Sequence, residues 1–468
     1  MSESRMKLPM FDDYWIDFRI GTTRRWFQPE RHSLCPSGLY TSLISDEERG
    51  VYRIYYESKI TPEKDGPRHL KLLESRDLIH FEPVMGSDGT DVICHGETGV
   101  HGCTVLYDRN DPDPARRYKF CGMTRMGRKG MPKEVEIAFS ADGIHWDLDH
   151  KIIAHPFTSD TRNSLLYNPI TEEYTLFHRS AHVDRRISIK HSKDLIHWTD
   201  PQIVLHPGPS YSDGFTGVQH YAMGVNYMDG IFYGLLWDYQ TCLYGDDFLR
   251  MYGYYEPELV YSYDGKEFLR TSGRPLIDRP MPPEPGCAGL APHDMCLSLD
   301  GKDYYIICGG AFLSHATQEQ TNAAIAAICA HGPIKRGSPI YKIRRDGFCG
   351  LESVCPGGKV ITKPLSLLKD DLTFNLRANT GSARFGIMDR DGAFLEGFSF
   401  DDCIPFEYGD GIEVTPKWKS HKLSEVLGRR IRIAVELNTA ILHCVSATAR
   451  PHIRQAQKSF AQPWGIDY

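Results

Sequence analysis

Five short stretches carry acids, imidazoles and amides just where a strand is about to begin. They are "QPERHS" with Glu30, Arg31 and His32; "CHGETGVHGC" with His95, Glu97 and His101; and "TSDTRNS" with Asp160, Arg162 and Asn163. Then come "YSDGFTGVQHY" with Asp213, Gln219, His220 and Tyr221, and "PEPGCAGLAPHDMC" with Glu284, His293 and Asp294. Carboxyl groups brought together from separate stretches can divide acid work from base work, since burial raises one pKa while a better solvated partner stays ionised. Glu97, Asp160 and Asp294 are the candidates for that set, with Glu97 as acid and Asp160 or Asp294 as base or nucleophile. Each also has a structural reading. Asp160 and Asp213 follow Ser and can cap turns, Arg162 can simply pair with Asp160, Glu97 can be a loop acid, and His220 and His293 can be satisfied core histidines.

The elements that must position these residues show in a repeat. "SRDLIHF" at 75–81, "SADGIHW" at 140–146, "SKDLIHW" at 192–198 and a looser "SYDGKEF" at 262–268 recur at spacings of 65, 52 and 70. Each copy ends an alternating strand such as "VEIAFS" or "RISIKHS", turns on Asp with Gly or Leu, and re-enters on an aromatic residue. The aspartates therefore belong to turn chemistry. Repeats of this length made of strands point to propeller blades. Strand counting gives five, or at most six, between about residues 31 and 337. Blade 1 is read from "GLYTSLISD", "VYRIYYESK" and "LKLLES", and blade 5 from "HDMCLSLD", "DYYIICGG" and "AAIAAICA". The last of these overlaps "QEQTNAAIAAI", which also reads as a short helix.

Beyond residue 338 the strands alternate with Gly-Asp turns up to 448, which reads as a β-sandwich. Residues 1–30 are expected to pack on the propeller, and 449–468 form a tail. The fold class is all-β.

Net charge is −7, which argues against nucleic acid as the partner. No apolar run approaches the ~20 residues that span a bilayer, so no membrane partner is expected. The start lacks a signal peptide's apolar segment, and the 13 cysteines contain no CxxC pair. Free thiols in a reducing, cytoplasmic setting are the expectation. A homo-oligomer is compatible with the sequence.

The S-x-D-G/L-x-x-W/F blade endings, together with "RRDGF", "TKPL" and "LEGFSFDDC" in the second domain, resemble glycoside hydrolase families 32, 43 and 68, family 32 above all. The resemblance implies a five-bladed propeller followed by a β-sandwich. It also implies an exo-acting hydrolase of an oligosaccharide, with furanosides among the candidates and carboxyl groups at the propeller mouth. His95, His101, Arg162, Asn163, Gln219, His220, Tyr221, Trp237, Asp238 and His293 would then bind substrate. Trp237-Asp238-Tyr239 offers a ring for stacking on a sugar face. No cofactor is required, although an ion such as calcium could sit in the channel near His220 or His293.

The fructosidase signatures themselves are not carried. "YNP" at 167–169 has no Asp, "RNDPDP" at 109–114 falls in a hairpin turn, and no Glu-Cys pair occurs. A propeller that binds carbohydrate without turnover is the first alternative. A uronate lyase or epimerase using His220, Tyr221 and Arg162 is the second, and a protein-interaction scaffold the third.

Overall fold

The computed structural model describes residues 5–59, 67–126, 133–179, 185–206, 216–242, 253–271, 275–311 and 318–452. Asp213 lies outside them. The chain divides into two compact units, Pro29–Met228 with Phe232–Ile343, and the described parts of Met1–Gln28, Asp229–Ile231 and Arg344–Tyr468.

The first unit is a five-bladed propeller of antiparallel sheets. Blade I comprises Leu39–Asp46, Val51–Lys59, Arg68–Ser75 and Glu82–Pro83, with Val92–Cys94 added to its third strand. Blade II comprises His101–Tyr107, Tyr118–Met123, Val135–Ser140 and Asp147–His155. Blade III comprises Ser164–Asn168, Glu173–Arg179, Ile187–Ser192 and Gln202–Leu205. Blade IV comprises Thr216–Met228, Ile231–Cys242, Gly253–Ser262 and Leu269–Arg270. Blade V comprises Gly289–Leu297, Asp303–Ala311, Ser338–Arg344 and, as its outermost strand, Glu30–Cys35.

Blade V departs from the sequence reading in two ways. "AAIAAICA" is not its third strand, because Gln318–Cys329 is an α-helix and Ser338–Arg344 takes that place. An Ala-rich run free of strand-forming alternation favours the helix. "QPERHS" does not open blade I either. Its strand pairs with blade V through Ser338↔Cys35, Ile340↔Ser33 and Lys342↔Glu30. Glu30, Arg31 and His32 therefore stand on an outer edge, not at the channel, and the ring is closed by a strand from the chain's beginning.

The repeated turns have one geometry. Asp142 Oδ1 accepts the N–H groups of Ile144 and His145 at 2.8 and 2.9 Å, and its Oδ2 lies 2.7 Å from His145 Nδ1. Asp77 and Asp194 repeat this with His80 and His197 at the same 2.7 Å. Ser140 Oγ accepts the Gly143 N–H at 2.9 Å, as Ser75 does from Leu78 and Ser192 from Leu195. The residue after Asp is left-handed in every copy, with φ of 73° at Gly143, 76° at Gly265, 58° at Leu78 and 67° at Leu195. Leu is costly in that conformation. Both leucines are fully buried, Leu78 against Cys35 and Tyr52, Leu195 against Cys121 and Ile137, so burial offsets the strain.

The second unit is built on a sheet in the order Ile16–Ile20, Gly358–Thr362, Arg432–Asn438, Thr373–Met388, Ala440–Pro451, Cys349–Ser353 and Thr23–Trp26. Arg5–Pro9 also pairs with Ala440–Pro451. Residues 5–26, expected to pack on the propeller, thus supply three strands to this sheet. Trp26 stacks on Phe11 with ring centres 5.8 Å apart. No helix of the described residues is long and apolar enough to cross a membrane.

Replacing Leu195 by Ala is expected to cost about 2–5 kcal/mol for the lost burial. Leu195→Gly should be at least as stable as Leu195→Ala, the reverse of the usual order, because Gly alone relieves the positive φ. Urea unfolding of the three proteins checks this; a Gly variant clearly weaker than the Ala variant contradicts it.

Candidate functional site: the propeller mouth

The starting ends of the innermost strands face one end of the channel, and their backbones are fastened to each other by side chains. Gly102 is left-handed at φ 64°, and a Cβ there would lie 2.0 Å from Thr161 O. Blades II and III can therefore approach only through glycine. Asn163 spends its amide on that join, donating to Gly102 O and Thr161 O at 3.0 Å each. Thr161 Oγ1 donates to Tyr221 O at 3.0 Å, tying blade III to blade IV.

Lower in the channel, Asp294 is a hub. Its Oδ2 accepts the Leu43 N–H at 3.0 Å and lies 3.3 Å from Arg162 Nη2. Its Oδ1 accepts from Asn226 Nδ2 at 2.7 Å and from Met295 N at 3.0 Å. Arg162 is itself buried and donates to Thr41 O at 2.6 Å. His293 accepts the Thr41 N–H at 3.1 Å, and burial beside Arg162 keeps its ring well below the ordinary histidine pKa, hence neutral. A cavity of about 460 Å³ continues from Arg162 and Asp294 between Leu43, Ser164, Val225 and Met295.

Asp160 is the sequence-predicted acid that reaches the mouth, with its side chain 58% exposed. His101 Nε2 lies 2.8 Å from its Oδ1 and Arg179 Nη2 lies 3.4 Å from its Oδ2. Burial pushes its pKa up, but His101 and Arg179 outweigh that and hold it below the usual carboxylate range. On the far side of His101 stands Glu57, fully buried on the second strand of blade I. Glu57 Oε2 is 3.4 Å from His101 Nδ1, and Glu57 Oε1 accepts the Cys103 N–H at 2.9 Å. Arg68 Nη1 reaches the same His101 nitrogen at 2.6 Å and stands 3.7 Å from Glu57. A neutral His101 can accept from Arg68, whereas an imidazolium donates to Glu57. Burial opposes the charged ring, yet the two carboxylates overcome it and raise its pKa.

Aromatic rings wall this end. Trp237 stacks between Tyr40 and Tyr221 at 6.0 and 6.1 Å, and its Nε1 donates to Pro292 O at 2.7 Å. Tyr255 closes edge-on against Tyr221 at 5.0 Å. Arg179 and Arg185 lie over the Tyr221 ring at 5.1 and 5.4 Å, and Arg185 donates to Gln219 Oε1 at 2.7 Å.

A second carboxyl cluster sits on blade IV, level with His220. Glu258 is ion-paired to Arg270, whose Nη2 lies 2.8 Å from His220 Nε2. Asp238 Oδ1 is 3.6 Å from the same nitrogen. Burial, with a hydrogen bond to Glu258 and the charge of that neighbour, pushes Asp238 up to about 9. Asp238 therefore keeps its proton at neutral pH.

Other predicted residues stand elsewhere. Glu97 is bound by Lys151, on the outermost strand of blade II, and by Arg125 at 3.2 Å, so both its oxygens are occupied by cations. His95 pairs with Asp88 at 3.1 Å and packs on His69. Glu284 pairs with Lys335. The structure thus gathers His101, Asp160 and Tyr221 with Trp237 nearby, seats Arg162, His293 and Asp294 deeper, and leaves His95 and Glu97 outside. No group of three or more His, Cys, Asp or Glu side chains among the described residues is placed to hold a metal ion.

Sequence reasoning missed Glu57, Arg68, Arg179, Arg185 and Glu258. All stand on second or third strands or beside them, whereas the acid candidates in the sequence lie at or before the starts of innermost strands. An antiparallel second strand ends at the mouth where the first begins, so "YYESK" and "LFHRS" were the available signals.

No family model matches the chain, and no curated protein matches it. Several solved structures do. The Bombyx mori GH32 β-fructofuranosidase BmSUC1 is 12% identical with TM-score 0.40, covering 92% of this chain and 94% of its own. An N-acetylgalactosamine deacetylase from F. plautii, in complex with blood group B trisaccharide, is 12% identical with TM-score 0.42, covering 70% and 97%. The endo-arabinase from Bacteroides thetaiotaomicron is 14% identical with TM-score 0.40, covering 62% and 95%.

Two measurements test the electrostatics. Asp294→Ala strands buried Arg162 and should lower stability by about 3–5 kcal/mol in urea unfolding, with Asp294→Asn milder. A fall under 1 kcal/mol contradicts the hub. For Asp238, the folded pKa lies above the unfolded value of about 3.9. Its contribution to stability is therefore present at low pH and lost as pH rises from about 4 towards about 9. Paired thermal melts should show wild type losing ground to Asp238→Asn across pH 5 to 9; parallel curves refute it.

Proposed function

We propose that this protein is a glycoside hydrolase acting at the propeller mouth, with Asp160 as the ionised base or nucleophile and Asp238 as the proton-holding acid. The reading is supported by the opposite push on two carboxyls of the propeller, Asp160 down and Asp238 up to about 9. Glycoside cleavage needs one carboxyl of each kind. Glu57 and His101 act as positioning residues, fixing the oxygen of Asp160 that faces His101 and leaving the carboxylate open to solvent. Trp237 is buried between Tyr40 and Tyr221, so it braces the mouth and offers no face for a sugar to stack on. The substrate on this reading is an oligosaccharide. Glu97 is paired with Lys151 and Arg125 on blade II and is not part of this carboxyl pair.

One observation favours a second reading, carbohydrate binding without turnover. The three acids first singled out do not converge, since Glu97 is ion-paired on blade II and Asp294 is spent within the channel.

A hydrolysis screen on aryl glycosides and oligosaccharides separates the two. Asp160→Asn and Asp238→Asn should each lower kcat by about 100-fold or more, while Glu97→Gln keeps wild-type turnover. Activity should fall as pH rises through about 9, where the acid loses its proton. Full turnover in Asp160→Asn ends the hydrolase assignment made here. Binding of glycans with no turnover in wild type selects the second reading.

A further inference from the structure

We propose that His101 is a two-position proton switch, its Nδ1 serving either Arg68 or Glu57, and that Asp160 is the stronger base while the ring is neutral. The proposal rests on the reading of the mouth given above and names the regulation of that site.

Two partners of opposite kind meet one ring nitrogen. Arg68 Nη1 lies 2.6 Å from His101 Nδ1, and Glu57 Oε2 lies 3.4 Å from the same atom. A guanidinium can only donate and does not lose its charge, whereas a carboxylate can only accept. A bare Nδ1 therefore suits Arg68 and not Glu57, and a protonated Nδ1 suits Glu57 and not Arg68. The structure holds the first position, and Glu57 Oε2 is left buried without a hydrogen bond. Such an acceptor is costly to leave unmade, so a donor on Nδ1 has a place waiting for it. Nε2 makes no such choice. It lies 2.8 Å from Asp160 Oδ1 and donates there in both positions.

The surroundings confine the exchange to these contacts. Glu57 Oε1 is fixed by the Cys103 N–H at 2.9 Å and by the Cys103 thiol at 3.1 Å, which leaves Oε2 for the ring. Tyr40 closes edge-on against His101 at 5.1 Å. Arg68 is 28% exposed and has room to withdraw, and its ion pair with Glu57 at 3.7 Å does not depend on the ring. Arg179 lies 3.4 Å from the other oxygen of Asp160. Asp238 and Glu258 belong to the separate cluster around Arg270 and His220 on blade IV.

The proton on Nδ1 changes what Asp160 feels. Beside an imidazolium its charge is offset by a full positive charge; beside a neutral ring it has only an N–H dipole. Its affinity for a proton is higher in the second case. Burial opposes charging the ring, but Asp160 and Glu57 outweigh burial and Arg68, so the exchange occurs above the ordinary histidine range. The acid limb of any activity at this mouth then belongs to an imidazole, not to a carboxyl.

Nuclear magnetic resonance of the full chain, labelled at the histidine ring nitrogens and the Asp carboxyl carbons, tests this. Signals are assigned by their loss in His101→Gln and Asp160→Asn. As pH falls, Nδ1 should gain its proton with a midpoint above about 6.5, while Nε2 stays protonated throughout. The Asp160 carboxyl carbon should show an inflection at the same midpoint. Glu57→Gln should lower that midpoint by about one unit or more, and Arg68→Met should raise it. Circular dichroism checks that both variants are folded, and Arg68→Met decides alone if Glu57→Gln is not. A midpoint at or below 6.5 overturns the proposal. So does a bare Nε2 at high pH, a midpoint that Arg68→Met leaves in place, or an Asp160 signal blind to the ring. Aryl glycoside turnover separates this inference from the reading beneath it. No turnover, with the titrations as expected, keeps the switch and removes the hydrolase. Asp160-dependent turnover whose acid limb lies in the carboxylate range keeps the hydrolase and removes the switch.

Discussion

Asp294 holds the propeller's centre together. One buried carboxylate receives donors from blades I, III and IV while standing on blade V, and its partner Arg162 returns to blade I. A buried charge is tolerable only when paired and fully hydrogen-bonded. Each donor is therefore required, and none of the four strands can slide along the channel without stranding it. That requirement sets the height of Thr41, Arg162, Tyr221 and His293 relative to one another, and the mouth inherits it. Asp294, Arg162 and His293, singled out in the sequence by type alone, are engaged with one another and with neighbouring backbones in the channel.

Above that hub, the mouth separates charge states by environment rather than by residue type. Glu57 lies sealed behind His101, and its buried negative charge together with Asp160 favours a protonated ring between them. Asp160 has cations on both oxygens and solvent beside it, so it stays ionised. Asp238 has the reverse surroundings. Its neighbour Glu258 has taken Arg270, and the buried site accepts one negative charge more readily than two. Burial works on all of these acids in the same direction; the placement of arginines decides which one yields.

The blades were legible because their signal is local. A Ser, an Asp two residues on, and a left-handed Gly or Leu complete each turn within a few residues, and the Asp–His contact repeats with it. Leu at the left-handed position is readable only afterwards, since its tolerance comes from neighbours on an adjacent blade. The closing strand Glu30–Cys35 was not legible, because its partner is some 300 residues away and nothing local marks an outermost strand. At the mouth the starts of innermost strands pointed to His101, Asp160 and Tyr221, which the fold places at one end of the propeller. They could not distinguish an acid facing solvent from one consumed by the neighbouring blade, as with Asp294. That distinction depends on which backbone N–H groups lie opposite, a property of the assembled ring.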